Sequence, residues 1–112
     1  MAEIYNFTLD QGADNSLSFQ WKDGNGAAMN LTGYTARCML KRNYDEAPVI
    51  SLALGSGISI AALTGTITLS FSSFQTDTLS GNYLYDLELV SASGSVTRLV
   101  QGMVTISPSV TR

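Results

Sequence analysis

The fold is decided by the stretch Gly81-Asn82-Tyr83-Leu84-Tyr85-Asp86-Leu87-Glu88-Leu89-Val90, in which an apolar side chain recurs at every second position. An alternation of period two is typical of a half-buried strand. After the link Ser91-Ala92-Ser93-Gly94, the stretch Val96-Thr97-Arg98-Leu99-Val100-Gln101-Gly102-Met103-Val104-Thr105-Ile106 is rich in β-branched residues, which suit a pleated surface. Because Gly94 permits a positive φ, the two stretches predict a long β-hairpin and an all-β fold.

The length and charge of the chain limit what it can be. Its 112 residues are enough for one core, so we expect a single domain over residues 1–112. Only 13% of the residues are charged, and the six Lys and Arg residues are scattered, which leaves no basic stripe for a nucleic-acid backbone. We therefore expect no nucleic-acid partner, and we expect part of the neutral surface to be covered by protein partners.

Targeting and cysteine signals are weak. The first residues lack the basic and apolar regions of a signal peptide, and no apolar run approaches the ~20 residues of a membrane helix. We therefore expect synthesis in a cytoplasm and no membrane partner. Cys38 cannot form an internal disulfide and lies in a strand pattern beside Ala36 and Leu40, so we expect a buried, inert thiol.

The rest of the chain reads as short strands separated by turn-forming residues. Apolar alternation predicts strands at residues 5–9, 17–21, 34–41, 49–54, 58–60 and 66–71. The run Asp23-Gly24-Asn25-Gly26 is typical of a turn that joins antiparallel strands. Gly55-Ser56-Gly57 and Leu63-Thr64-Gly65 permit tight reversals. Ser72, followed by a break in the alternation that extends to Leu79, predicts one helical turn or a plug over the end of a sandwich.

This spacing predicts an architecture. Strands that recur every ~8 to 12 residues, with no long helical pattern, favour an immunoglobulin-like antiparallel β-sandwich of about seven strands with one short helical turn. The disulfide of that fold is absent, so we expect Trp21 to lie at the centre of the core. The side chains expected to be buried around it are Leu17, Phe19, Leu69, Tyr85 and Leu87.

The sequence offers little for catalysis. It contains no histidine, which excludes Ser-His-Asp and Cys-His catalysis and histidine-containing zinc sites. Two acidic pairs remain, Asp45-Glu46 in a loop and Asp86 with Glu88 on one face of a strand. A solvated strand face or an interface ion pair explains them better than carboxylate catalysis or calcium binding, because a metal site needs oxygen ligands from other loops. We expect no enzymatic activity, no metal and no cofactor.

Three weaker patterns have ordinary structural explanations. Calcium could find ligands in two turns, at Asp14 with Asn15 and at Asp23 with Asn25, although turn formation explains these residues without a metal. The glycine pairs Gly24/Gly26 and Gly55/Gly57 do not have the spacing of a phosphate-binding loop. Carbohydrate could stack on tyrosines, but aromatic residues that alternate along a strand belong more often to the core; the tyrosines concerned are Tyr34, Tyr83 and Tyr85.

Four segments of the chain carry a recognisable pattern, namely Ser18-Phe19-Gln20-Trp21-Lys22-Asp23-Gly24-Asn25-Gly26, Leu31-Thr32-Gly33-Tyr34-Thr35-Ala36-Arg37, Gly81 to Leu89, and Val100 to Pro108. Together they resemble a known family, the small immunoglobulin-like virion proteins of tailed bacteriophages. The pattern is similar to the N-terminal domain of phage baseplate upper proteins and covers nearly the whole chain. Its motifs are structural, so the resemblance implies a fold and a virion context but no catalytic site. Those longer proteins continue into a fibre or receptor-carrying region, whereas this sequence ends at Arg112, so we expect a free-standing subunit.

The resemblance implies a non-enzymatic structural component of a phage virion, either a tail or baseplate adaptor or a capsid decoration subunit. Its expected partners are other virion proteins and further copies of itself. The alternative is a module that binds a host surface through carbohydrate or with calcium. Residues 49–75 carry no charge, and we expect the segment from Ile58 to Leu63 to form an edge strand and loop at a subunit contact. The expected interface residues are Ile58, Ile60, Leu63, Arg37, Glu88 and Arg98.

Overall fold

The structure, a computed structural model, describes residues 3–109 and is mostly β-structure, so the predicted all-β class is confirmed. The elements within that range are β1 (Glu3–Ile4), β2 (Phe7–Asp10), β3 (Asn15–Gln20), β4 (Thr35–Lys41), β5 (Ile50–Leu54), β6 (Gly57–Ala61), a 3₁₀ turn (Ala62–Thr64), β7 (Thr66–Phe71), α1 (Ser73–Thr76), β8 (Gly81–Val90) and β9 (Val96–Ser107). The strands belong to one mixed sheet with the order β1-β9-β8-β4-β5-β6-β7-β3, and β2 also pairs with β9.

The predicted hairpin is confirmed. β8 and β9 pair in antiparallel register from Gly81 opposite Ile106 to Val90 opposite Val96. The link between them is a tight turn, in which the Gly94 N–H donates to the Ser91 carbonyl over 2.9 Å. A bulge lies beside Leu87, because Leu87 is opposite Val100 while Glu88 is opposite Arg98. The extra residue increases the local twist of the pair and helps the sheet to curl.

The curl brings the two ends of the sheet together around the core. Phe7 of β2 lies 6.2 Å from Phe71 of β7 and 4.8 Å from Tyr85 of β8, measured between ring centroids. Tyr5, between β1 and β2, contacts Phe19 of β3 edge to face at 5.4 Å. Aromatic pairs in these geometries stabilise beyond the area that they bury. The inward residues of β4, β5, β7, β8 and β9 fill the enclosed space.

The first predicted strand, residues 5–9, is interrupted in the structure. At Tyr5 and Asn6 the chain passes very close to Gly102, where a Cβ atom would lie 2.5 Å from the Tyr5 carbonyl oxygen. The Asn6 side chain takes over as hydrogen-bond acceptor for the Met103 N–H at 2.9 Å. Of the predicted strand, only residues 7–9 are in a strand, β2, and β1 precedes the break. Both strands are parallel to β9, and residues 3–109 contain nine strands instead of the expected seven or so.

Trp21 does not lie at the centre of the core. Leu69, Tyr85 and Leu87 are buried as predicted, but the side chains of Leu17, Phe19 and Trp21 are only half-buried. The reason is the position of β3, which ends the sheet and pairs with β7. Trp21 follows the last residue of β3 and packs edge to face on Tyr34, with the ring centroids 6.0 Å apart.

Two of the predicted turns have a different role from the expected one. Gly55 and Gly57 both have positive φ, but β5 and β6 run parallel, so the chain does not reverse there. It instead leaves β4 and continues beside β7, which makes this corner the place where the sheet bends. The Asp23–Gly26 turn is present, but the residues on its two sides form only a single bridge, between Lys22 and Ala28. The strand partner of β3 is β7.

Two other predictions concern the segments next to these turns. The helical turn is confirmed as α1, where the Ser72 side chain accepts the Gln75 N–H and the Gln75 side chain accepts the Ser72 N–H. The segment from Ile58 to Leu63 is expected to be an edge strand and loop. Its strand, β6, pairs with β7 from Ile58 to Ala61 but with β5 only at Gly57 and Ile58, so its other side is covered only at its first two residues.

Gly65 lies where the loop after β3 packs against the β6–β7 turn, so a substitution there tests this packing. Its φ is +64°, and a Cβ atom would lie 2.6 Å from the Trp21 carbonyl oxygen and 2.9 Å from that of Met29. Gly26 also has a positive φ, but nothing lies within 4 Å of its Cβ position. We expect Gly26→Ala to lower the free energy of unfolding by about 1 kcal/mol, through backbone strain alone. Gly65→Ala should lower it by about 3 kcal/mol, because backbone must also move. Urea denaturation measures both, and equal losses would contradict this packing.

Candidate functional site

The strongest candidate site is the outer surface of the sheet around β8. Outward side chains of β1, β4, β8 and β9, with Tyr44 from the loop after β4, line a shallow concavity of about 480 Å³. We call this surface the β4–β8–β9 face. Its members are Ile4, Arg37, Met39, Lys41, Tyr44, Leu84, Asp86, Glu88, Arg98, Gln101 and Met103.

The pairing register arranges these side chains in rows across the strands. One row contains Lys41, Leu84 and Met103. The next row contains Met39, Asp86, Gln101 and Ile4. A third contains Arg37, Glu88 and Arg98. Because every strand here is hydrogen-bonded to a neighbour, the backbone holds the rows in fixed positions.

Apolar side chains are unusually exposed on this face. The exposed fraction is 74% for Ile4, 82% for Tyr44, 43% for Met103 and 39% for Met39. Single exposed apolar residues are ordinary on protein surfaces, but a group of them in one concavity is typical of an interaction site. Sequence analysis missed Ile4 and Tyr44, which lie in a two-residue strand and a loop where no alternation marks them. Met39 and Met103 carried a signal, since each is an outward residue of an alternating strand.

Two ion pairs cross the same face. Arg37 Nε lies 2.7 Å from Glu88 Oε1, and Arg98 Nε lies 3.3 Å from Asp86 Oδ2. Asp86 and Glu88 lie on one face of one strand, as their spacing predicted, and each pairs with an arginine of a neighbouring strand. Both arginines are more than half exposed, so the pairs contribute little to stability. Their main effect is to give the face alternating, nearly balanced charge.

The pKa of the Asp86 carboxyl is raised above its ordinary value. Burial is the largest cause and the neighbouring charge of Glu88 is the second, while Arg98, Lys41 and Arg37 act in the opposite direction. Desolvation disfavours the charged form of a carboxyl group. A partner that covered the face further would therefore need a donor or cation near Asp86.

The six residues expected at an interface do not form one surface. Arg37, Glu88 and Arg98 lie together on the β4–β8–β9 face. Ile58 is 3% exposed and belongs to the core, so its side chain is not available to a partner. Ile60 is half-buried on β6, and Leu63, on the 3₁₀ turn, is 80% exposed. β5 separates β6 from β4 in the sheet.

The carboxylates that could serve as calcium ligands accept hydrogen bonds within the chain. Asp14 Oδ1 accepts the Ser73 N–H at 2.7 Å, and Asp23 Oδ1 accepts the N–H groups of Asn25 and Ala27. Glu46 accepts a hydrogen bond from the Asn43 side chain in the loop after β4. Over residues 3–109, no three His, Cys, Asp or Glu side chains are grouped so that they could hold a metal ion.

The three tyrosines considered for carbohydrate do not form an exposed platform. Tyr83 and Tyr85 are buried, and Tyr34 is half-buried against Trp21. The Tyr85 hydroxyl donates a hydrogen bond to the Tyr5 carbonyl, and burial raises the pKa of the Tyr85 hydroxyl. Arg42 covers the Tyr83 ring, with its guanidinium carbon 4.3 Å from the ring centroid. These rings serve the core, as the structural interpretation of the strand pattern predicted.

Cys38 is buried on the inner side of β4, as predicted. Burial, with a smaller effect of the Asp86 charge, raises the pKa of its thiol to about 12. Because the thiolate is the reactive form, a thiol with this pKa is a poor nucleophile at neutral pH. The residue therefore contributes packing to the core.

Comparison with known proteins found no family model and no curated protein that matches this chain. In the part of the chain that the structure describes, no helix is long and apolar enough to span a membrane.

Asp86 should make the free energy of unfolding depend on pH. Because the folded state raises the carboxyl pKa above 3.8, the free energy of unfolding should fall as the pH rises from the unfolded-state pKa to the folded-state pKa. We expect Asp86→Asn to remove that fall, as measured by urea denaturation between about pH 3 and pH 7. In Arg98→Ala, the Asp86 pKa measured by carboxyl NMR titration should rise further, since Arg98 lowers it. An Asp86 carboxyl that titrates at or below 3.8 would contradict this account.

Proposed function

We propose that this chain is a non-enzymatic structural subunit of a tailed-bacteriophage virion, and that it acts through protein–protein contacts. Its role in the particle is that of a tail or baseplate adaptor or a capsid decoration subunit, and its partners are other virion proteins and copies of itself. The observation that carries this proposal is the β4–β8–β9 face. The resemblance of the sequence to phage virion proteins supplies the context.

The chemistry of the face fits a protein partner. Met, Tyr and Arg are enriched in protein interfaces, and this face presents Met39, Met103, Tyr44, Arg37 and Arg98. Most of these side chains stand on paired strands, so little backbone freedom is lost on binding. The ion pairs lie beside the apolar groups without a large excess of either charge, which favours a neutral partner surface over a polyanion.

The strand order supports a finer fold within the same proposal, the immunoglobulin-like sandwich. Divided at the Gly55–Gly57 corner, the sheet gives one layer with the order β9-β8-β4 and a second with the order β6-β7-β3. These correspond to the G-F-C strands and the D-E-B strands of an immunoglobulin domain. At the start of β8, the Tyr83 hydroxyl accepts the Ser80 N–H at 3.2 Å, which is similar to the tyrosine corner of that fold.

The alternative is a host-surface module that binds carbohydrate or depends on calcium. Its best location is a second concavity, of about 620 Å³, between β3, β7 and α1. That concavity presents hydroxyl, amide and carboxylate groups but no exposed ring on which a sugar could stack, because its one aromatic residue, Phe71, is buried. The β4–β8–β9 face therefore supports the structural role better.

The test is incorporation into particles. We expect mass spectrometry of gradient-purified particles of the encoding phage to find the chain in multiple copies. Tyr44→Ala combined with Met103→Ser should reduce its copy number roughly tenfold, because both changes truncate exposed apolar side chains of the face. The melting temperature of the isolated variant should stay within about 2 °C of the parent.

Phe74→Ala is the matched control, since Phe74 is an aromatic residue of α1 with 88% exposure and lies outside the face. It should leave incorporation unchanged. Particles that lack the chain would overturn the virion role. Equal incorporation of both variants would overturn the role of the face.

The alternative has a separate readout in the isolated protein. A ligand that binds only the folded state raises the melting temperature. We expect the melting temperature to stay unchanged when Ca²⁺ or host surface glycans are added. Each ligand is added at about 100 μM, which is about 100 times a dissociation constant of about 1 μM. A rise with either ligand would favour the host-surface module.

A further inference from the structure

The strand β3 forms one end of the sheet and presents a regular backbone edge. Among the described residues it pairs with β7 alone, in a continuous antiparallel register from Asn15 opposite Phe71 to Gln20 opposite Thr66. Natural proteins usually protect such edges with lysine, proline or a bulge. β3 has none of these devices, since its sequence is Asn15-Ser16-Leu17-Ser18-Phe19-Gln20.

The hydrogen-bond pattern identifies which backbone groups face outward. The Trp21 N–H, one residue past β3, donates to the Gly65 carbonyl at 2.8 Å and therefore points toward β7. In an antiparallel pair, hydrogen-bonded and non-hydrogen-bonded positions alternate along the strand. The N–H and C=O groups of Ser16, Ser18 and Gln20 consequently point to the open edge.

The side chains of β3 also indicate a missing neighbour. Leu17 and Phe19 are on the inner side of the strand, yet both are only half-buried. Phe19 has a ring contact with Tyr5, and Leu17 lies beside Leu69 of β7 in the register. An additional strand at this edge would cover the remaining exposed part of both side chains.

We propose that this edge is a self-association site, at which β3 pairs antiparallel with β3 of a second copy about a twofold axis at Ser18. In this register Ser18 lies opposite Ser18, Leu17 opposite Phe19 and Ser16 opposite Gln20. The outward groups of the two strands then form about six backbone hydrogen bonds. The apolar pair occupies the non-hydrogen-bonded positions, where side chains approach most closely. A twofold contact of one patch with itself gives a closed dimer.

Charge favours the same register. Lys22 and Asp14 are exposed and flank β3 on either side. With Ser18 on the axis, Lys22 lies opposite Asp14 of the second copy at both ends of the contact. A shift that places Leu17 or Phe19 on the axis loses this match, because Asp14 then faces Gln20 or Gly24. The strands behind the edge add no repulsion, since residues 49–75 are uncharged.

The size of the contact sets its strength. One pair of six-residue strands buries less than the ~1,200 Å² of a standard stable interface. We therefore expect a monomer–dimer equilibrium with a dissociation constant of about 100 μM, which a multi-copy assembly would reinforce through high local concentration. This site is distinct from the β4–β8–β9 face and does not depend on the virion role.

Sedimentation velocity of the intact chain between about 10 μM and about 1 mM tests the site. The parent protein should shift from monomer toward dimer over this range. Ser18→Lys should weaken association at least about tenfold, because two lysines then lie directly opposite each other. Ser59→Lys is the matched control. It adds the same charge to an exposed serine in the same row, two strands further from the edge, and should leave association unchanged.

A charge-swap mixture separates pairing at the axis from loss of the fold. Ser18→Glu alone should also be monomeric, and an equimolar mixture of Ser18→Lys and Ser18→Glu should recover the dimer. In the parent protein, amide exchange at Ser16, Ser18 and Gln20 should slow as the concentration rises. A parent that stays monomeric to about 1 mM, a mixture that does not recover, or protection that appears only with another virion protein would each overturn the proposal.

Discussion

The double pairing of β8 is the constraint on which the rest of the structure depends. This ten-residue strand is hydrogen-bonded to β4 on one side and to β9 on the other, so its register fixes both neighbours. Its inward residues, from Tyr83 to Leu89, are buried, while Asp86 and Glu88 stand on the outer side. A slip of one residue would exchange the two faces and expose the core. The packing that stabilises the core and fixes this register therefore also fixes the positions of the charged and apolar rows on the β4–β8–β9 face.

The two sides of the molecule differ in how their strands are paired. At the Gly55–Gly57 corner, β5 and β6 pair at two positions, Ala53 with Gly57 and Leu54 with Ile58, and beyond these β5 pairs with β4 and β6 with β7. At the other side, β3 and β2 each end a row of hydrogen bonds. Tyr5 and Phe19 contact each other across this opening, but a ring contact does not satisfy backbone groups. Among the described residues, β3 pairs on one side only along all six of its residues, so it offers a continuous backbone edge.

Local sequence signals predicted much of this fold, and the failures share one cause. The alternation of apolar residues with a period of two correctly predicted β4 and the β8–β9 hairpin, and the Ser72 cap correctly predicted α1. Both signals depend only on residues that are neighbours in the sequence. The parallel pairings of β1, β2 and β6 depend on distant strands, which an alternation cannot specify. Trp21 and Ile58 were misassigned for the same reason, since burial follows from a strand's place in the sheet. At the site, Asp86 and Glu88 were correctly placed on one face, whereas the exposure of Tyr44 depends on how its loop lies over the sheet.

The two candidate surfaces differ in chemistry in a way that suits two kinds of contact. A partner of the β4–β8–β9 face would be recognised through side chains, because the face combines exposed methionine and tyrosine with two ion pairs. The β3 edge offers mainly backbone groups and serines, which recognise an extended strand with little dependence on its sequence. The two proposed contacts together would allow different neighbours to be bound at the same time. In a symmetric assembly, the proposed edge contact would add affinity between copies that the face holds side by side.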